Sequence, residues 1–119
     1  MSEKTIENLM SMVQKFCEER DWEQFHNPKD LAIGISTEAN ELLEIFRFKS
    51  ETDIKKIMGD SEKSEHVEEE LADVFFFILR FAQMNNIDLH DALTDKLEKN
   101  AKKYPIDMIK GKNLKYTEI

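Results

Sequence analysis

"EEELADVFFFIL", residues 68–79, sets three glutamates and an aspartate against one of the most apolar stretches of a 119-residue chain. Val74, Phe75, Phe76, Phe77, Ile78 and Leu79 cover every side of any helix built on them. A helix that is apolar all round must be covered all round. Three further helices of so small a chain do not suffice, so the stretch predicts a homo-oligomer, most simply a dimer that buries part of this helix. Val67, Val74, Phe77, Ile78 and Phe81 define its inward band, and Glu70 and Asp73 fall in the middle of that band.

Outward from this stretch the chain reads as helices. In residues 3–20, Ile6, Leu9, Met10, Val13, Phe16 and Cys17 recur at steps of three and four, with Ser2 as the expected N-cap. "RDWEQFHNP" (20–28) breaks the period and ends in Asn27-Pro28, an N-cap followed by proline at the first helical position. A second helix is expected over about 28–48. The charged stretch 49–65, with Gly59, reads as a short helix or a mobile connector. A third helix runs from about 62 to 85 and stops near Asn85-Asn86. Asp88 caps a fourth, about 89–103, which ends before Pro105. The tail from 106 to 119 has no clear period and is either an arm laid over the body or loosely ordered. The expected fold class is all-α: one domain over 1–119, an antiparallel four-helix bundle to residue 105, then a C-terminal arm.

Composition narrows the function classes. Three Gly and two Pro favour helices. A net charge of −8 argues against a nucleic-acid partner, which is held by basic residues on phosphates. A lone Cys17 forms no intrachain disulfide, and no Cys/His spacing suggests zinc. The apolar run 74–79 is far too short to span a bilayer, and no apolar leader precedes it. The expectation is a soluble cytoplasmic protein with no membrane partner.

Acid-x-x-acid spacing alone says little, since 25 of the 119 residues are acidic and most such windows are solvated helix faces. Phase says more. The second helix carries an apolar stripe of Leu31, Ile35, Leu42 and Ile45, and the turn between Ile35 and Leu42 lands on Glu38, with Glu41 three further on. Two helices thus each place an acid pair where the period asks for apolar residues. Four unpaired carboxylates facing inward would cost several kcal/mol each. Lys or Arg partners inside the bundle could relieve this, and so could hard divalent cations. The inward bands offer few cations: Arg80 lies two to three turns beyond, and Lys29 is at the far end of its helix. All-oxygen ligation suits Mg²⁺, with Mn²⁺ the alternative.

Glu38-x-x-Glu41 followed by Glu70-x-x-Asp73 resembles the MazG-like nucleotide pyrophosphohydrolases of the all-α NTP pyrophosphatase superfamily. "RDWEQFHNPKDLA" (20–32), "EANELLEIFRFK" (38–49), "EEELADVFFFI" (68–78), "DKLEKNAKKYP" (95–105) and "KYTEI" (115–119) resemble, in order, the dCTP-pyrophosphatase branch. The resemblance implies a helical bundle that dimerises, often pairing again into a tetramer. It implies Mg²⁺-dependent hydrolysis of a (d)NTP to the monophosphate and pyrophosphate, a nucleotide-pool cleaning activity. Glu38, Glu41, Glu70 and Asp73 are then the metal ligands, and Glu41 or Glu38 orients or deprotonates the attacking water. Many members carry a further acid where this chain has Thr37, and Glu44 is either a supporting acid or solvated.

By the same resemblance, Lys96, Asn100 and Lys103 contact phosphates; their steps of four and three put them on one helix face. Aromatic planes suit a base, and Trp22, Phe48 and Phe77 are the candidates, the last two standing where Trp and Tyr are common in that branch. Val13 replaces a His found in some relatives. A competing reading keeps the acids in salt bridges across a dimer, as a non-catalytic interaction module. Another keeps the fold and changes the substrate, to dUTP or phosphoribosyl-ATP.

Overall fold

The computed structural model describes residues 4–119 and, among them, contains helices and no strand. The first helix, α1, is Ile6–Glu19, opened by Thr5, whose Oγ1 accepts the Asn8 N–H at 3.0 Å. Ser2, the expected cap, lies outside the described residues. Helix α2 is Pro28–Phe46, and Asn27 caps it by accepting the Asp30 N–H at 2.9 Å, with Pro28 in the first turn where its missing N–H costs nothing.

Helix α2 ends two residues before the expected boundary. Arg47 leaves the helical region (ψ 132) and Phe48 takes a positive φ of 64, so the chain turns sharply there. The 49–65 stretch resolves as a short helix: α3, Glu51–Gly59, opens on a capping box between Ser50 and Asp53. Helix α4, Ser61–Met84, follows at once from the Asp60 cap. Asp88 caps α5, Leu89–Lys103, and a single turn, α6, covers Ile106–Ile109. Two 3-10 turns, Glu23–Phe25 and Tyr116–Glu118, complete the described elements.

The chain forms two compact units, one ending at Asn86 and the other Ile87–Ile119. In the first, α4 is central and α1, α2 and α3 pack on it. Its buried apolar side chains come from all four helices: Cys17, Leu31, Ile57, and Val67, Leu79 and Ala82 of α4. The fourth helix of this unit is therefore α3; α5, expected as the fourth bundle member, belongs to the second unit. There the tail folds back on α5. Tyr104 and Tyr116 meet edge to face at 6.1 Å, and the Lys103 ammonium lies 4.9 Å above the Tyr116 ring.

The outer face of α4 stays open. Leu71 is 56% and Phe75 37% exposed, as the all-round apolar pattern implied for a helix that three neighbours do not cover. Among the described residues no helix is long and apolar enough to cross a membrane.

Candidate active site

Where α2 and α4 pack together, Glu38, Glu41 and Glu70 each bring a carboxylate oxygen within 4.8 Å of the others. The step of three between Glu38 and Glu41 aims both at α4. Glu38 and Glu70 are half-buried, and each has one oxygen, Oε2, that is buried without a hydrogen-bond partner. No Lys or Arg forms an ion pair with Glu38, Glu41, Glu70 or Asp73 among the described residues. The basic side chain that approaches is an imidazole: His66 Nδ1 stands 3.9 Å from Glu70 Oε1, one turn before it on α4. Within the protomer, then, no lysine neutralises these acids among the described residues.

Mutual repulsion marks the cluster. Burial, a proton shared with Glu41, and the charges of Glu41, Asp73 and Glu70 push the Glu38 carboxyl up to about 7. Glu70 is raised too, first by the proton shared with Glu41 and then by burial, with His66 pulling the other way. Asp73 is exposed at the rim, close enough for both to feel its charge. Converging oxygen-only donors with orphaned buried oxygens fit a hard divalent cation.

Asp73 also joins this cluster to a second feature. It lines a cavity of about 470 Å³ whose other walls include Leu9, Val13, Phe16, Trp22 and Phe77. The walls are almost wholly apolar and aromatic, with the Asp73 carboxylate as the charged group among them. Gly34 makes room for one wall: a Cβ there would stand 2.5 Å from the Phe77 ring. An apolar slot that ends at carboxylates suits a flat, largely apolar body with an anionic tail carried on a cation.

Comparison with known proteins agrees with that chemistry. A family model described as MazG-like matches residues 33–119. The chain belongs to the MazG-like family. Its similarity to dCTP pyrophosphatase 1 of Mus musculus is 33% identity over 117 residues, 98% of this chain and 69% of the relative. The Homo sapiens protein of the same name is 32% identical over the same share of each chain. A crystal structure of a pyrophosphatase from Archaeoglobus fulgidus superposes with a TM-score of 0.79 at 35% identity, covering 88% of this chain and 96% of that one.

In this MazG-like chain the expected site residues divide into three groups. Glu38, Glu41 and Glu70 converge with Asp73 at their rim, and Trp22 and Phe77 share the aromatic cavity. Phe48 does not join them: it is 91% exposed just past α2, with Arg47 over its ring at 4.7 Å. The same left-handed turn that ends α2 throws this side chain outward, so within the protomer it joins neither the aromatic cavity nor the core. Lys96, Asn100 and Lys103 lie on α5 of the second unit, with Asn100 half-buried and Lys103 over Tyr116. Glu44 is largely exposed and paired with Arg47 at 2.9 Å. With Glu41, Glu70 and His66 it lines a second opening on the carboxylates.

Two residues escaped the sequence reading. His66 is signalled only by its spacing of four from Glu70, which puts both on one helix face. Gly34 carries no pattern signal, since a glycine inside a helix says only that something approaches closely.

Proposed function

We propose that this MazG-like chain is a divalent-cation-dependent pyrophosphohydrolase that converts a deoxynucleoside triphosphate of dCTP-like size to the monophosphate and pyrophosphate, as a pool-cleaning enzyme. Family membership and the pyrophosphatase names of its relatives support the reaction class. The observation that carries the reading is that Asp73, whose charge reaches Glu38 and Glu70 of the carboxylate cluster, also lines the aromatic slot.

Glu38, Glu41, Glu70 and Asp73 are the residues that would hold Mg²⁺ or Mn²⁺, which when bound supplies charge neutralisation for the triphosphate. The chain's own groups do the rest. Trp22 and Phe77 stack the base, which orients the nucleoside so that its phosphates extend past Asp73 toward the acids. Glu41, exposed and shared between Glu38 and Glu70, is the acid placed to accept a proton from the attacking water, with Glu38 second. Val13 and Phe77 themselves offer the base edge no side-chain hydrogen bond. Lys96, Asn100 and Lys103, on one face of α5, are assigned to the phosphate chain by the resemblance of their register.

The open face of α4 supports a homodimer, or a tetramer of two dimers, with Leu71 and Phe75 at the contact. A pyrophosphate-release assay over a panel of dNTPs and NTPs, with Mg²⁺ and with a chelator, tests the reading. Release from a pyrimidine deoxynucleotide that requires the cation supports it; no release from any nucleotide with either Mg²⁺ or Mn²⁺ overturns it.

A further inference from the structure

Arg80 is the most deeply buried charged side chain of the described residues, 1% exposed on α4. It has no carboxylate at ion-pair distance there. Its Nε–H donates to His26 Nδ1 at 2.8 Å, across 54 residues of chain. Nη1 donates to Gln83 Oε1 at 2.7 Å, and the Gln83 amide in turn donates to the Met10 carbonyl at 2.8 Å. Nη2 is buried with no partner, and so is Oε1 of Glu23. A guanidinium held this way is expensive, since a buried charge without a counter-ion costs several kcal/mol and a methionine would fill the space. Stability of the fold does not account for it.

Its recipient shows what it does. Because Arg80 can only donate, Nδ1 of His26 must carry a lone pair, and the ring is neutral with its proton on Nε2. His26 closes the 3-10 turn through its N–H to the Glu23 carbonyl at 3.2 Å, and its ring packs edge-on to Trp22 at 6.1 Å. Trp22 in turn packs against Phe16 at 5.7 Å and lines the aromatic cavity with Phe77 and Asp73. Apart from this bond, the hydrogen bonds of the 22–26 segment among the described residues are short-range, backbone ones and those of the Gln24 amide to Asp21, which hold a turn but do not aim it at α4.

We propose that Arg80 is a positioning residue that anchors the His26 ring to α4 and thereby fixes Trp22 as a wall of the nucleoside cavity. The inference rests on the reading of that cavity given above. It makes nucleotide binding sensitive to the protonation of His26, because a charged imidazole presents a donor to a donor. Three groups face that ring or its anchor: Arg80 from α4, Glu23 from its own turn, and Cys17 from α1, which lies in the field of both. Burial and then Arg80 hold the histidine below its ordinary 6.5, with Glu23 opposing. Neutrality at pH 7 is therefore built in.

Arg80 itself is a poor first target, since its replacement leaves a hole in the core. His26→Phe keeps the ring and removes the acceptor; His26→Asn keeps an acceptor near the Nδ1 position and cannot be protonated. Trp22 is the single tryptophan, so its fluorescence reports the turn directly. With Mg²⁺ present and a nucleotide that the wild type hydrolyses, His26→Phe is expected to raise KM about tenfold, the scale of a lost stacking partner, with kcat within about twofold. Acrylamide quenching of Trp22 without nucleotide should increase in His26→Phe, and His26→Asn should restore both readouts. Wild-type KM should climb as pH falls from 7 to 5, and the His26→Asn profile should be flatter. Quenching and KM unchanged in His26→Phe overturn the inference, as does a lowered melting temperature with Trp22 unmoved. Trp22→Ala separates the two levels: if its KM is unchanged, the cavity reading fails and this inference falls with it. If its KM rises while that of His26→Phe does not, the inference alone is wrong.

Discussion

The Phe77 ring lies where a side chain on Gly34 would be. A Cβ built on Gly34 meets Cε1, Cδ1 and Cγ of that ring at 2.5, 2.6 and 2.9 Å. Because even Cγ is inside contact distance, the ring cannot escape by a small tilt. In an ordinary helix interior, Gly to Ala stabilises by about 1 kcal/mol. Here Gly34→Ala should forfeit that gain, because overpacking costs roughly 1–3 kcal/mol. It should also drive Phe77 into the aromatic cavity and raise KM several-fold with little change in kcat. Thermal melts and steady-state kinetics check both; a variant that melts higher and binds nucleotide normally would show that Phe77 is not a wall of the site.

Glu41 is the acid whose removal should separate chemistry from folding. It is exposed, so Glu41→Gln loses no buried contact, yet it helps to raise both neighbours: Glu38 after burial, and Glu70 before it. The variant should keep its helical circular dichroism and lose turnover by roughly 10²–10⁴-fold, the range for a positioned general base. Asp73→Asn, at the rim, should likewise abolish pyrophosphate release with the helical signal intact. Near-wild-type rates in either, on every nucleotide tested, would remove the carboxylates from the mechanism.

Stability should depend on pH in opposite ways with and without the cation. Unfolded, Glu38 titrates near 4.5; folded, at about 7. The folded protein therefore holds this proton more tightly, and the stabilisation is complete below pH 4.5 and lost as pH passes about 7. His26 works in the reverse direction, its depressed value making the fold weaker as pH falls below 6.5. Comparison with Glu38→Gln isolates the first effect. In chelator, the melting temperature of the wild type should fall relative to Glu38→Gln as pH rises from 5 to 8. At pH 8 with Mg²⁺ at about 100 times its Kd, native-state binding should return roughly 2.7 kcal/mol to the wild type alone. Parallel melting curves under both conditions would mean that the acids neither share a proton nor take up a cation.

Periodicity made the helices legible, because Leu31, Ile35, Leu42 and Ile45 repeat on one face and Asn27-Pro28 and Asp88 announce helix starts. The acids were legible for the same reason: Glu38 and Glu70 interrupt apolar stripes, and the burial of one oxygen of each is what such an interruption means. Features that depend on one residue's backbone or on distant pairs were not. Phe48 reads as the end of a helical stripe, and nothing local says that Arg47 leaves the helix and aims the ring outward. Arg80 reads as a stray charge on an apolar band; its partner lies 54 residues away, beyond the reach of any periodic pattern. Gly34 is one hydrogen in place of a side chain, and only the facing ring gives it meaning.

Leu71 and Phe75 lie one turn apart on the side of α4 that α1, α2 and α3 leave open. With Val74 and Ile78 they line an apolar depression of about 470 Å³. Such a face on a central helix should be closed by a second copy, since a two-fold axis lets one apolar stripe cover its own symmetry mate. Phe75→Glu, placed where the side chain is already partly in water, should leave the protomer's helical signal unchanged and set two like charges against each other at the contact. Light scattering coupled to size exclusion should then give the mass of a dimer or tetramer for the wild type and of a monomer for the variant at micromolar concentration. Lys in place of Glu should do the same, whereas a mixture of the Glu and Lys variants should recover the larger species, because opposite charges then meet across the axis. A wild type that runs as a monomer, or a variant that keeps the full assembly mass, would place the contact elsewhere on the chain.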